Sequence, residues 1–376
     1  MPSRATAIFS CFALLVASST HAQQTRPREH FQNADVVYDW VPNSRGDELR
    51  TFISHPRNAS GKVPVLFFVG WLSCDSIESP EGETDGFSAL VLRLIDQSGY
   101  ATVRTEKPGV GESQGTPCDQ ADFAAELEGY QAAFRSMSKY AFLDADRAIV
   151  IGLSNGGGFA PLVAPPHAVR GFVAAGAWGR TWYEHMLENE RVRLTNAGKS
   201  AAEVNDAMKA FAEFYDLYLI QGQTPGQILS QHAQWRNLWY DAPGGQYGRP
   251  AAFYQQLQAL NLGEVWQNVD RPVLVIRGSK DTVMSRADSS AIAETVNRAH
   301  PGRARYLEVQ GMTHGLTVEK KFQAEMVTII LNWAKEQLAA GKTGTPRVSD
   351  HCPFPIEIVV RYPPSEGRSP WRSVSR

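Results

Sequence analysis

Residues 147–158 read RAIVIGLSNGGG and run on into Phe159-Ala160. The first half is a short, continuous apolar run, which suits a strand buried on both faces of a sheet. The second half is Gly152-Leu153-Ser154-Asn155-Gly156, followed by a run of small residues. A serine held on a sharp turn between a strand and a helix needs neighbours without Cβ atoms, so that backbone can approach it without clash. The helix that follows aims the positive end of its dipole at the serine. Glycine and serine are common, so the five-residue pattern alone carries little weight. Its setting between a buried strand and a helix start gives it meaning.

Working outward, the same kind of apolar run recurs at Val63 to Gly70 (VPVLFFVG), Ala101 to Thr105, Val169 to Ala175, Arg271 to Gly278 (RPVLVIRG) and Ala304 to Val309. Between these runs lie stretches with helical spacing. Asp85 to Gln97 carries Phe87, Leu90, Val91, Leu94 and Ile95 on one face, and Phe123 to Met137, Ala287 to Ala299 and Phe322 to Ala339 follow the same rule. This alternation predicts an α/β fold, a mostly parallel central sheet flanked by helices on both faces. Val36 to Val41 and Leu49 to His55 flank the turn-rich Pro42 to Asp47 and predict a hairpin.

Trp178 to Trp266 breaks the alternation with helical patterns but no buried strand. It reads as a helical cap inserted over the open end of the sheet, dividing the core into 23–177 and 267–340. Residues 341–376 turn to Pro, Arg, Ser and Gly and read as a tail, with Ile356 to Tyr362 a candidate edge strand. Residues 1–22 read as a signal peptide: Arg4, an apolar stretch from Ala5 to Ala17, then small Thr20 and Ala22, leaving Gln23 as the mature start. That stretch is too short to span a bilayer. The expected destination is secreted or periplasmic, without stable membrane insertion.

At 43% hydrophobic and 20% charged, the chain of 376 residues has the balance of a folded globular protein. A formal net charge of −2 supplies no basic field for nucleic acid. No C-x-x-C or H-E-x-x-H spacing occurs, so no metal site is expected. Cleavage of the leader removes Cys11 and leaves Cys74, Cys118 and Cys352 in an oxidising compartment.

The Gly152 to Gly156 pattern is that of a nucleophile elbow. A serine hydroxyl is a poor nucleophile at neutral pH and needs a base, which needs an orienting acid. Asp281 follows the run ending at Gly278, and His314 follows the run ending at Val309. Both therefore fall just beyond strand C-terminal ends, on the edge that carries Ser154, in the chain order Ser, Asp, His. Asp288 is the nearest rival acid but falls inside a predicted helix. An oxyanion requires two backbone N–H donors. Asn155 supplies one, and the loop after Gly70 supplies the other, with Trp71 preferred and Leu72 second. Trp178, Trp182 and Tyr183 leave a strand end at the same edge and are the expected substrate-facing cap residues. Lys107 to Gly115 (KPGVGESQG) lacks nucleotide-binding spacing and reads as a tight loop near the site. The chemistry calls for no cofactor.

In their order, VPVLFFVG, KPGVGESQG, GLSNGGG, GSKD and GMTHG resemble the α/β-hydrolase superfamily from about Val36 to Ala339. The Lys-Pro-Gly-x-Gly-x-Ser loop and the cap position are similar to those of bacterial esterases and of the catalytic domain of prolyl-oligopeptidase-type hydrolases. The resemblance implies an acyl-serine mechanism on a small-molecule acyl substrate. The expected reaction is hydrolysis of a carboxylic ester or thioester, with a peptidase or an acyltransferase on the same triad as alternatives. The chain departs from the family at Val69-Gly70, where His-Gly is usual. In the strand order that the resemblance implies, the strands preceding Cys74 and Cys118 are neighbours, so a Cys74–Cys118 disulfide is expected.

Overall fold

In Val63 to Val69 alternate side chains serve opposite faces of the sheet, as a strand period of two requires. Val65, Phe67 and Val69 enter one buried cluster, and Leu66 and Phe68 enter the other. A computed structural model describes residues 27–339. The leader 1–22, Cys352 and the candidate strand Ile356 to Tyr362 lie outside the described residues.

The chain opens with β1 (Ala34–Pro42) and β2 (Glu48–Pro56), an antiparallel hairpin. Its turn is set by Asn43, whose Oδ1 accepts from the N–H groups of Arg45 and Asp47. Then come β3 (Val63–Val69), α1 (Gly86–Gln97), β4 (Ala101–Thr105), α2 (Phe123–Ser136), β5 (Leu143–Leu153), α3 (Asn155–Val163) and β6 (Gly171–Ala175). Five helices follow: α4 (Trp182–Asn196), α5 (Ala201–Tyr215), α6 (Pro225–Gln231), α7 (Ala251–Gln258) and α8 (Leu262–Gln267). The two-residue strands β7 (Gly245–Gln246) and β8 (Arg249–Pro250) pair with each other just before α7. The core then resumes with β9 (Val273–Gly278), α9 (Arg286–Ala299), β10 (Ala304–Val309), the small hairpin β11 (Thr317–Val318) and β12 (Lys321–Phe322), and α10 (Glu325–Ala339).

The main sheet has the order β1-β2-β4-β3-β5-β6-β9-β10. Only the β1–β2 and β2–β4 pairs are antiparallel. The rest are parallel, and β6 and β9 are buried at every residue, which accounts for their unbroken apolar sequence. One core lies between the sheet and α1 and α10, around Leu90, Leu94, Ile330 and Trp333. The other joins α2, α3 and α9 to the interior of the α4–α8 segment, where Phe211, Phe214, Tyr218 and Tyr254 pack.

Two boundaries differ from the sequence reading by three residues or more. The strand expected from Arg147 begins at Leu143, because pairing with β3 continues past a register shift at Pro64/Val65 on backbone hydrogen bonds, whatever the side chains. The closing helix begins at Glu325 instead of Phe322, because Lys321 and Phe322 pair as β12.

Candidate active site

Ser154 stands between β5 and α3 with φ 54° and ψ −121°, a left-handed conformation costly to a residue with a side chain. The flanking glycines make it possible. A Cβ on Gly156 would lie 2.2 Å from the Gly70 carbonyl oxygen, and one on Gly152 would lie 2.5 Å from the Gly157 Cα. The Gly156 N–H donates to that Gly70 oxygen at 3.1 Å, which seats the start of α3 against the end of β3.

Asp281 and His314 occupy the loops after β9 and β10. Only a glycine at 278 lets these loops meet, since a Cβ there would sit 2.0 Å from the Met312 oxygen. Ser154 Oγ is 2.9 Å from His314 Nε2, and His314 Nδ1 is 2.9 Å from Asp281 Oδ2. The other oxygen of Asp281 accepts from the N–H groups of Val283 and Met284, both at 2.8 Å, so the carboxylate cannot rotate freely. Phe87 packs edge-on against the His314 ring, and Trp71 stacks on Phe87. Asp288, the rival acid, is buried at the start of α9 and bonds a different histidine, with His185 Nδ1 at 3.0 Å from its Oδ2. Burial alone would raise the Asp288 carboxyl, but His185 and Arg180 hold it well below the usual aspartate range.

Ser154 and His314 open into a cavity of about 710 Å³ that Trp71, Leu72, Asn155 and Trp182 also line. Trp178 and Tyr183 do not line it. The Trp178 indole N–H donates to the Asn155 carbonyl at 3.1 Å, beneath the start of α3, in space left by Gly158. Tyr183 turns the other way and donates its hydroxyl to Ala212 at 3.1 Å. Trp182 and Tyr183 are adjacent on a helix and point about 100° apart.

The loop that carries Trp71 and Leu72 is pinned from below by buried polar groups. Tyr130 Oη accepts from the Gly70 N–H at 3.1 Å, and Lys107 Nζ donates to the Ser73 carbonyl. Glu106 accepts from the Ser76 hydroxyl and from the Ile77 N–H. Burial pushes the Glu106 carboxyl up and the Lys107 ammonium down from their ordinary values. Cys74 closes the loop through a disulfide to Cys118, with Cα atoms 5.8 Å apart. Arg249 reaches in from β8, pairs with Glu126 of α2 and touches both sulfurs. Within the Lys107 to Gly115 segment, Lys107 reaches this loop, while Glu112 pairs with Arg50 and the Gln114 N–H donates to Glu48, both in β2.

Several cavity residues escaped the sequence reading: His185, Asn189, Arg193 and Tyr240. The spacing of 185, 189 and 193 was a usable signal, since polar residues four apart share one helix face. Among the described residues no cluster of three or more His, Cys, Asp or Glu is placed to hold a metal, and no helix is long and apolar enough to cross a membrane.

A nucleophile-elbow serine at the C-terminal edge of a sheet in this strand order defines an α/β-hydrolase. The chain belongs to the hydrolase family described as "Serine aminopeptidase, S33", whose model matches residues 82–321. Comparison with curated protein sequences found no match. Solved structures share the fold at low identity. Est1E from Butyrivibrio proteoclasticus, solved with ferulic acid bound, superposes with a TM-score of 0.52 at 16% identity, covering 80% of this chain and 99% of its own. A Pyrococcus furiosus esterase gives 0.50 at 12%, covering 81% and 91%. A hypothetical protein from Pseudomonas aeruginosa gives 0.50 at 18%, covering 81% and 94%.

Proposed function

We propose that the protein is an exported serine esterase that cleaves a small-molecule carboxylic ester through an acyl-serine intermediate. The observation that carries this reading is the unbroken chain Ser154 Oγ to His314 Nε2 to Asp281 Oδ2, each step 2.9 Å, with the serine facing a cavity. His314 takes the Ser154 proton as Oγ attacks the ester carbonyl. Asp281 accepts from Nδ1–H, which leaves Nε2 free to receive that proton and stabilises the imidazolium. The Asn155 N–H, at the open start of α3, and the Trp71 or Leu72 N–H hold the oxyanion. His314 returns the proton to the leaving alcohol and then activates the water that frees Ser154. The sequence of residues 1–22 and the Cys74–Cys118 bond support export.

The family description makes an aminopeptidase the second reading. Such an enzyme would draw on a cavity carboxylate for the substrate ammonium, and each of the three already accepts from a neighbour, although exposed Asp75 does so at one oxygen only. Glu190 accepts from Arg193 and Tyr240, Asp85 caps α1 through the Phe87 and Ser88 N–H groups, and Asp75 accepts from Ser73. The esterases among the structural relatives support the same reading.

The test is covalent labelling with a fluorophosphonate alongside hydrolysis of a short acetate ester. Ser154→Ala is expected to lose labelling and roughly 10⁶ in kcat while keeping its melting temperature. Labelling that persists in that variant rejects the assignment.

A further inference from the structure

Helix α4 leads away from the catalytic end of the cavity, and the face it turns to the cavity is polar. Trp182, His185, Asn189, Val192, Arg193 and Asn196 all line it. At about 100° per residue they form a single stripe, and Trp182 to Asn196 covers about 21 Å of helix. A helix laid on a protein interior normally turns its apolar stripe inward. With Glu190, which also lines the cavity, five of the seven are polar, and of these Arg193 and Asn196 are exposed.

Buried partners hold these groups in place. His185 Nδ1 lies 3.0 Å from Asp288 Oδ2, and the Asn189 amide nitrogen lies 3.1 Å from His185 Nε2. That fixes the Asn189 side chain and leaves its oxygen without a partner among the described residues. Arg180 also donates to Asp288, at 2.9 Å, which anchors the relay from behind. Further along, Arg193 directs Nε and Nη2 at Glu190 Oε2, both at 2.7 Å, and its Nη1 has no partner among the described residues. Glu190 is buried, and its other oxygen accepts from the Tyr240 hydroxyl at 3.0 Å. Burial keeps the Tyr240 phenol above its ordinary value, so it stays a neutral donor. The rings of Tyr240 and Tyr247 stand partly exposed at this end of the cavity.

One carboxylate and one guanidinium make the cluster neutral overall. An anion would meet Glu190 beside Arg193, and a cation would meet Arg193 itself. An apolar chain would cover the Asn189 oxygen without giving it a partner and would gain nothing from the half-exposed Arg193 edge. A neutral group carrying several hydroxyls answers both, because each hydroxyl donates and accepts. One face of Tyr240 already carries the Arg193 guanidinium, and the partly exposed Tyr247 ring suits its C–H surface.

We propose that this face of α4 is a subsite for a neutral polyhydroxylated alcohol, so that the substrate is an acyl ester of a sugar. The proposal rests on the acyl-serine reading above. Ser154 Oγ bonds to the acyl carbon, the bond from that carbon to the sugar oxygen breaks, and the sugar leaves as the alcohol with the proton that His314 took from Ser154. Water then hydrolyses the acyl-serine.

The experiment compares two acetates of primary alcohols, 1-propyl acetate and the 6-O-acetate of methyl glucoside, on the full mature chain. The wild type is expected to favour the sugar ester at least tenfold in kcat/KM. That ratio is expected to fall about tenfold or more in Arg193→Met and in Asn189→Leu, with fluorophosphonate labelling confirming that each variant is folded. Arg193→Lys keeps the charge without the fork and should recover only part of the ratio. A wild-type ratio near one, or a high ratio that both variants keep, overturns the subsite while the esterase reading stands. Monopropyl succinate is the third substrate: a preference for it over 1-propyl acetate, lost in Arg193→Met, assigns the face to an anion and also overturns the proposal. If neither ester is cleaved and Ser154 is not labelled, the underlying esterase reading fails instead.

Discussion

Replacing both Cys74 and Cys118 with serine tests whether one covalent bond serves stability and catalysis together. The bond closes a 44-residue loop. On the chain-entropy model, such a closure is worth about 4 kcal/mol through the unfolded state. For a fold of roughly 300 residues, an unfolding entropy of about 2.1 cal/mol/K per residue turns that into a fall of about 6 °C in melting temperature. The bond also ends the loop that begins at Gly70 and carries Trp71 and Leu72. Tyr130 and Lys107 still hold Gly70 and Ser73 in the variant, and Arg249 keeps Glu126 as a partner. The loop is therefore expected to loosen, not to leave. An oxyanion donor displaced by a fraction of an ångström should lower kcat about tenfold with a smaller change in KM, because the donor acts on charge that develops at the transition state. Thermal unfolding and steady-state hydrolysis of a short acetate ester, with and without the bond, measure both. A melting temperature within a degree of the parent refutes the entropy argument. A lower melting temperature with unchanged kcat refutes the link between the disulfide and the oxyanion loop.

Two other perturbations separate the histidine–aspartate pairs. Asp281→Asn is expected to keep the fold and lose roughly 10⁴ in kcat by favouring the wrong His314 tautomer; parental activity there, with a dead Asp288→Asn, would move the orienting role to Asp288. Asp288 is held below its ordinary value in the folded chain, so its stabilisation is full above the unfolded value of about 3.9 and drains away as pH falls below it. Denaturant titrations from pH 5 downward should thus show the parent's stability advantage over Asp288→Asn shrinking below about pH 4, and an advantage that stays constant to pH 2.5 would contradict the linkage.

The sheet and the edge that carries the site were legible because their signals are local. An apolar run such as VPVLFFVG can only be satisfied between two covered faces, and the α/β alternation around it then sets a mostly parallel sheet. Ser154, Asp281 and His314 could be named from loop position alone, since parallel strands deliver all their C-terminal ends to one edge. Glycines at 152 and 156 marked the close approaches, and the backbone atoms that a Cβ would strike there, and at 278, show why. The hydrogen-bonded chain across the three residues is a tertiary fact, because it depends on how far two loops extend beyond β9 and β10. The cap was less readable. Its helices turn a polar stripe to the cavity and aromatic side chains to their own interior, so position at the strand end found Trp182 but also its two neighbours that face elsewhere. Trp178 went under α3 and Tyr183 toward Ala212, while Asn189 and Arg193 came to line the cavity. Pairings such as Arg249 with the disulfide, or His185 with Asp288, join residues more than a hundred positions apart. No local pattern encodes such pairs. They are set by where the cap settles on the sheet, and that depends on the packing of every helix in it.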